Sequence, residues 1–301
     1  MSNQNKGIYL AIVTAVISGV SIFVNKFAVN AVQPAIIFTS VKNIAVGILI
    51  LCLVLALGKW KEIKSLSREQ LKYLIAIGII GGSLPFYLFF TGLSNTSAIN
   101  AAIIQKTLVL WVAIFAIPFL KEKISKTQIA AVLMLFSANV FIGGFKGFSF
   151  SKWEFFILMA TILWAIENVL AKKILPKADS NIVALFRMCL GSIILVVASF
   201  ITIPNAFQSA YSLTHQQIFW VSLTVLSLFG YVICWYKALS FAPAITVSSI
   251  LVSSTLVTNV LSAVFITHSW TFNLTLQAQL ILIGTFLLIR AKKADLSLQR
   301  V

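Results

Sequence analysis

Carboxylates are scarce in this chain. Asp and Glu together number 7 among 301 residues, against 23 Lys and Arg, and Glu167 alone of them lies well inside an apolar run. Acid–base catalysis by paired buried carboxylates therefore has no groups to use. Histidine is rarer still. His215 and His268 sit in separate loops without an acidic or Cys neighbour, so no metal site is expected, and no cofactor. Cys52, Cys189 and Cys234 each interrupt an apolar run, at no zinc-type spacing, and read as packing thiols. Charged residues make up 10% of the chain, far below the roughly 25% of a soluble protein. The polar segments are short, which disfavours a scaffold or sensor with soluble appendages, the alternative to transport.

What the chain has in abundance is apolar sequence, 60% by composition. Runs of about 20 residues, the length that crosses a bilayer as a helix, recur near 8–26, 35–57, 73–92, 100–120, 128–145, 154–171, 182–203, 218–238, 246–267 and 273–290. The expected class is an all-α polytopic membrane protein of ten transmembrane helices. The net charge of +16 comes from basic residues scattered in short loops, which fits membrane topology and not nucleic acid.

Shifted by about 146 residues, the sequence matches itself. "FTGLSNTSAINAAI" falls on "YKALSFAPAITVSS", "SLSREQLKYL" on "SLTHQQIFWV", Lys42 on Arg187, and "IPFLKEKIS" on "AVFITHSWT". The first span, "VISGVSIFVNK", falls on the internal "ILWAIENVLAK", so it is expected to be structural, not a cleaved signal. The units are residues 1–147 and 148–301. Five spans per unit is an odd number, so the two copies must run in opposite directions across the membrane. Their loop charges invert accordingly: basic "KWKEIKSLSR" becomes uncharged "IPNAFQSAYSLTH", while "NKFAVNAVQP" becomes basic "AKKILPKADSN". The positive-inside rule then predicts an inner (plasma) membrane protein with both termini cytoplasmic. Inverted repeats of this kind suit alternating access around a central site.

The stretch "FFTGLSNTSAINAAIIQKTLVLWVAIFAIPFLKEKIS", with its copy "WYKALSFAPAITVSSILVSSTLVTNVLSAVFITHSW", resembles the drug/metabolite transporter superfamily. The likeness is to its bacterial EamA-type members, and it runs from about Lys6 to Lys293. It implies a secondary transporter whose cavity is lined by helices one to four and six to nine, with five and ten peripheral. Export is favoured over uptake. The second copy departs from the pattern by placing His268 where the family commonly has Glu. A carrier of phosphorylated or cationic metabolites is the alternative within the resemblance.

Buried polar residues give the candidate site. Lys106 sits inside the fourth run, about 9 Å from its start, and Lys42 is similarly deep. A cation held in apolar surroundings seeks an anion, water or carbonyls, so both are candidate contacts for the anionic group of a small metabolite, such as the carboxylate of an amino acid. Gln105, Asn25, Tyr87, Trp164 and Asn168 are further cavity candidates. Glu167 and Arg187 are predicted to face each other from adjacent helices as an ion pair that switches during the cycle, with protons as the coupling ion. Lys26 and Lys172 are close enough to helix ends to reach the interface. The expected partners are a small-molecule substrate, lipid, protons and, compatibly, a second copy in a homodimer.

Overall fold

The computed structural model describes residues 3–142, 147–202 and 213–298. Lys146, Ser212 and Arg300 lie outside the described residues. Nine helices there are long and apolar enough to span a bilayer. They are α1 (Asn3–Ala31), α2 (Ala35–Ala56), α3 (Arg68–Ser94), α4 (Ala98–Leu120), α6 (Lys152–Ile174), α7 (Ser180–Ile201), α8 (His215–Phe241), α9 (Ala244–Thr267) and α10 (Phe272–Arg290). The fifth predicted span appears as a shorter apolar helix, α5 (Lys126–Val140), and a π-helical turn at Ala138–Ile142 ends its described part. Large apolar side chains point outward from the bundle, Phe119 at 71% and Ile201 at 76% exposure among them. In water such a surface would aggregate; in lipid it is the expected exterior.

Polar residues between the runs start the helices. Ser67 with Gln70, Ser125 with Gln128 and Thr214 with Gln217 form reciprocal capping boxes, each satisfying orphan N–H groups at a helix start. Two of these glutamines also reach across the repeats. The Gln70 side-chain amide donates to the Lys177 carbonyl at 2.6 Å, and the Gln217 amide donates to the Ala31 carbonyl at 2.8 Å. These are repeat-equivalent bonds, one at each end of the bundle.

The helix neighbours obey the same exchange. α1 packs on α8 as α6 packs on α3, and α2 lies against α7, while α5 and α10 pair with each other at the edge. The α3–α7 crossing is set by two small residues: a Cβ on Gly82 would fall 1.9 Å from the Arg187 carbonyl oxygen, and one on Gly191 would fall 2.3 Å from Gly82 backbone. Backbones this close are the usual means of helix association where lipid offers no hydrophobic gain.

Three of the inward helices are broken. α3 bends at Ser83, just before Pro85, the second residue of its second segment. α4 is interrupted at Thr107 and α9 at Val252–Ser253. The last two breaks are repeat mates with one cause. Thr107 Oγ1 donates to the Ile104 carbonyl at 2.6 Å and Ser253 Oγ to the Ile250 carbonyl at 2.7 Å, tightening each turn by a hydroxyl bond to the preceding backbone.

Candidate functional site

A cavity of about 70 Å³ lies between the repeats. That is room for a few waters. Its wall is Ser18, Ser21, Ile22 and Asn25 from α1, Lys42 from α2, Phe86, Phe89 and Phe90 from α3, and Gln105 and Leu108 from α4. The second repeat adds Trp164 and Asn168 from α6, Arg187 from α7, Leu228, Tyr231 and Trp235 from α8, and Leu251 from α9. α5 and α10 contribute nothing to it.

Lys42 is 1% exposed. Its ammonium donates to Asn25 Oδ1 at 3.2 Å and rests 3.4 Å from the Phe90 ring centroid, a close cation–π contact. Asn25 is itself held by bonds from its amide to the Ser21 carbonyl and hydroxyl. Arg187, the repeat mate of Lys42, is 4% exposed and stands 5.6 Å from the ring of Tyr236, the repeat mate of Phe90. Its Nε donates to the Gly81 carbonyl at 3.3 Å, as does Trp164 Nε1 at 3.1 Å. The proline four residues on explains that free acceptor. Pro85 has no N–H with which to complete the helical bond to Gly81, and two side chains of the other repeat take the carbonyl instead.

Lys106 is placed differently from the expectation. It is buried in the last turn of the first α4 segment, where a cation favours the carbonyl end of the helix. Its ammonium donates to Ser18 Oγ at 3.3 Å and Gln105 Oε1 at 3.1 Å. Both acceptors line the cavity; Lys106 does not, and it acts on the wall from behind. Tyr87 is also corrected. Phe86, Phe89 and Phe90 share the inward face of α3 at helical spacing, which turns Tyr87 outward, 37% exposed, into a separate depression beside Pro34.

The predicted direct pair of Glu167 and Arg187 is replaced by a three-member arrangement. No ion pair joins the two; the Tyr236 hydroxyl donates to Glu167 Oε1 and interposes itself. Glu167 Oε2 and Arg187 Nη1 are both buried without a partner. Trp164 and Trp235 face inward, and Trp235 Nε1 donates to Asn168 Oδ1 at 2.7 Å, so neither is an interfacial anchor.

Lys26 and Lys172 do not run out to the interface. Lys26 Nζ donates to the Leu93 and Thr96 carbonyls at 2.8 and 2.7 Å. Lys172 Nζ donates to those of Leu239 and Ala242 at 2.7 and 2.8 Å. Every atom in the first set has its repeat equivalent in the second. Each lysine closes the carbonyl end of α3 or α8, and the two closures lie at opposite ends of the bundle.

A match to the EamA-like transporter family covers residues 5–144 and again 151–290. The chain belongs to this family. Curated relatives include the uncharacterized transporter YyaM of Bacillus subtilis, 25% identical over 194 residues, and an uncharacterized transporter of Archaeoglobus fulgidus, 28% identical over 203. These alignments cover 62% and 63% of this chain and 63% and 66% of the relatives' own lengths. A solved structure titled only as the crystal structure of a protein superposes with a TM-score of 0.73 at 15% identity, covering 95% of this chain and 94% of its own, and so shares the fold. The molecule is a multi-pass membrane protein of the EamA-like transporter family.

The α4 end, Leu120-Lys121-Glu122, has a clear use. Glu122 accepts the backbone N–H groups of Ala244 and Ile245 at 2.7 and 3.0 Å, capping α9, whose N-cap is Pro243 and has no side-chain acceptor. α4 needs no such help, because Ser97 accepts the Asn100 N–H at 3.1 Å. Alignment by sequence put His268 in the place of Glu122. The π-helical turn Ala263–Thr267 moves that register by one residue. His268 takes the left-handed position of Lys121 (φ 47° and 54°), and Ser269 stands where Glu122 does.

Proposed function

We propose that this protein is a secondary transporter that moves a small metabolite bearing an anionic group by alternating access, in the direction of export. The observation that carries the reading is the cavity's charge. Lys42 and Arg187 contribute to its wall, and no Asp or Glu does so among the described residues. Two cations buried together are costly unless an anion meets them, and this wall therefore favours an anionic occupant. Gln105 offers its amide N–H groups to it, Asn25 holds Lys42 in place, and Trp164, with Asn168 and Trp235, walls its apolar part. Lys106 orients Ser18 and Gln105. Protons are the coupling ion, and Glu167 is the group that takes them up.

The excess of Lys and Arg on one set of loops supports an orientation with both termini cytoplasmic in the cell membrane. The end closed by Lys26 then faces out and the end closed by Lys172 faces in.

Reconstituted vesicles test the reading. Vesicles loaded with a labelled carboxylate mixture are expected to lose label through the wild type and not through Lys42→Met. That change keeps the stem and removes a contact worth about 1.5–3 kcal/mol, or roughly tenfold to a hundredfold in affinity. Equal flux through both proteins would remove Lys42 from the site.

A further inference from the structure

We infer that the substrate is a dicarboxylate, with one carboxylate taken by each repeat. The inference rests on the reading that the cavity binds an anionic metabolite, and it concerns how many charges that metabolite carries.

Lys42 and Arg187 occupy the same position in α2 and α7. They are presented alike, each over the aromatic ring at the equivalent place in its own repeat, Phe90 for one and Tyr236 for the other. They also share a ring: Lys42 Nζ is 5.8 Å and Arg187 Cζ 5.6 Å from the centroid of Phe86. Their separation therefore cannot exceed the sum of those distances, which is within reach of one small molecule with a charge at each end.

Both cations hold donors in reserve. Lys42 Nζ gives one hydrogen bond, to Asn25, and Arg187 Nη1 gives none although it is buried. A guanidinium with Nε committed to Gly81 and Nη1 free still presents a carboxylate-binding edge. The one buried carboxylate nearby, Glu167, is outside the wall and already accepts from Tyr236. With Lys106 behind the wall, basic groups here outnumber carboxylates three to one.

Three other occupants fit less well. A monocarboxylate satisfies one cation and leaves its repeat mate buried and unmatched. A zwitterionic amino acid adds an ammonium to a wall that has no carboxylate for it. Phosphate concentrates its charge on one centre, whereas the two cations approach from different repeats. A dicarboxylate places a charge at each cation and an apolar link against Phe86 and Trp164, whose rings pack edge to face at 5.5 Å.

The test is thermal stabilisation of purified protein by succinate, glutarate and adipate, compared with butyrate, alanine and inorganic phosphate at equal concentration. At least one dicarboxylate is expected to bind about tenfold or more tightly than butyrate. Lys42→Met and Arg187→Met should each reduce that affinity to the butyrate level, while Lys42→Arg and Arg187→Lys retain the preference. The comparison of ligands in the wild type stands even if a variant does not fold. Butyrate binding as tightly as every dicarboxylate would overturn the inference and leave the anion site intact. Preference for phosphate or alanine would overturn it in favour of that chemistry. Stabilisation by none of the anions would remove the anion-cavity reading itself.

Discussion

Glutamine in place of Glu167 is expected to abolish accumulation driven by a pH gradient while leaving substrate exchange intact. The side chain is buried in α6, with one oxygen accepting the Tyr236 hydroxyl and the other unpartnered. In the proposed cycle this carboxyl would exchange a proton when the cavity opens to water on either side, with Tyr236 linking that event to Arg187 at the cavity wall. Glutamine keeps an acceptor for Tyr236 and nearly the same volume, so the helix packing should survive. What it loses is the ability to change charge. For one proton per cycle, a pH difference of one unit is worth about 1.4 kcal/mol, or about tenfold accumulation. That gain should vanish in Glu167→Gln, with labelled substrate equilibrating to the same level on both sides. Retained uphill transport would make the Glu167–Tyr236–Arg187 arrangement purely structural.

Gly82→Val is expected to have the largest effect on stability. The added Cβ would sit 1.9 Å from the Arg187 carbonyl oxygen, a backbone atom that cannot rotate away. α3 and α7 would have to part, at a cost above the roughly 1–3 kcal/mol of ordinary overpacking. Their separation would also draw the Gly81 carbonyl away from Arg187 and Trp164, so the cavity would fail with the fold. The expected outcome is aggregated protein, or a lowered melting temperature with no ligand stabilisation, by scanning fluorimetry. Gly230→Ala is the control, because its nearest neighbour is the Ile17 side-chain tip at 3.4 Å. Wild-type melting of Gly82→Val would mean that the α3–α7 crossing is loose enough to admit a branched side chain.

The repeat, its inversion and the membrane class were legible because each follows from one-dimensional properties: run length, internal similarity and loop charge. Depth was legible as well, since residues along a helix count off at a fixed rise. Azimuth was not. Lys42 and Lys106 are comparably deep, yet the α4 break at Thr107 and the neighbouring Ser18 and Gln105 hold Lys106 behind the wall. Tyr87 was misplaced because α3 is aromatic on several sides, so periodicity gave no contrast between its faces. Tyr236, aligned with Phe90, was not read as a site residue because it differs from it only by a hydroxyl, though Glu167 replaces Ser21 in the same copy and the two changes answer each other. The Gly81 carbonyl had a signal too: a proline within an apolar span frees the acceptor four residues earlier. The one-residue register change at His268 had none, because a π-helical turn leaves no mark in composition.

Alternating access is most directly tested by asking from which side the cavity is reached. Ser21 lies in the wall, and a cysteine there, in a background lacking Cys52, Cys189 and Cys234, reports access to an impermeant maleimide. Labelling in sealed vesicles of each orientation is expected from both sides. Loss of a lysine closure removes two charge-assisted bonds and should shift the balance by about tenfold. Lys26→Met should raise labelling from the outer side and lower it from the inner, and Lys172→Met should do the reverse. Labelling from one side alone in all three proteins would contradict the account.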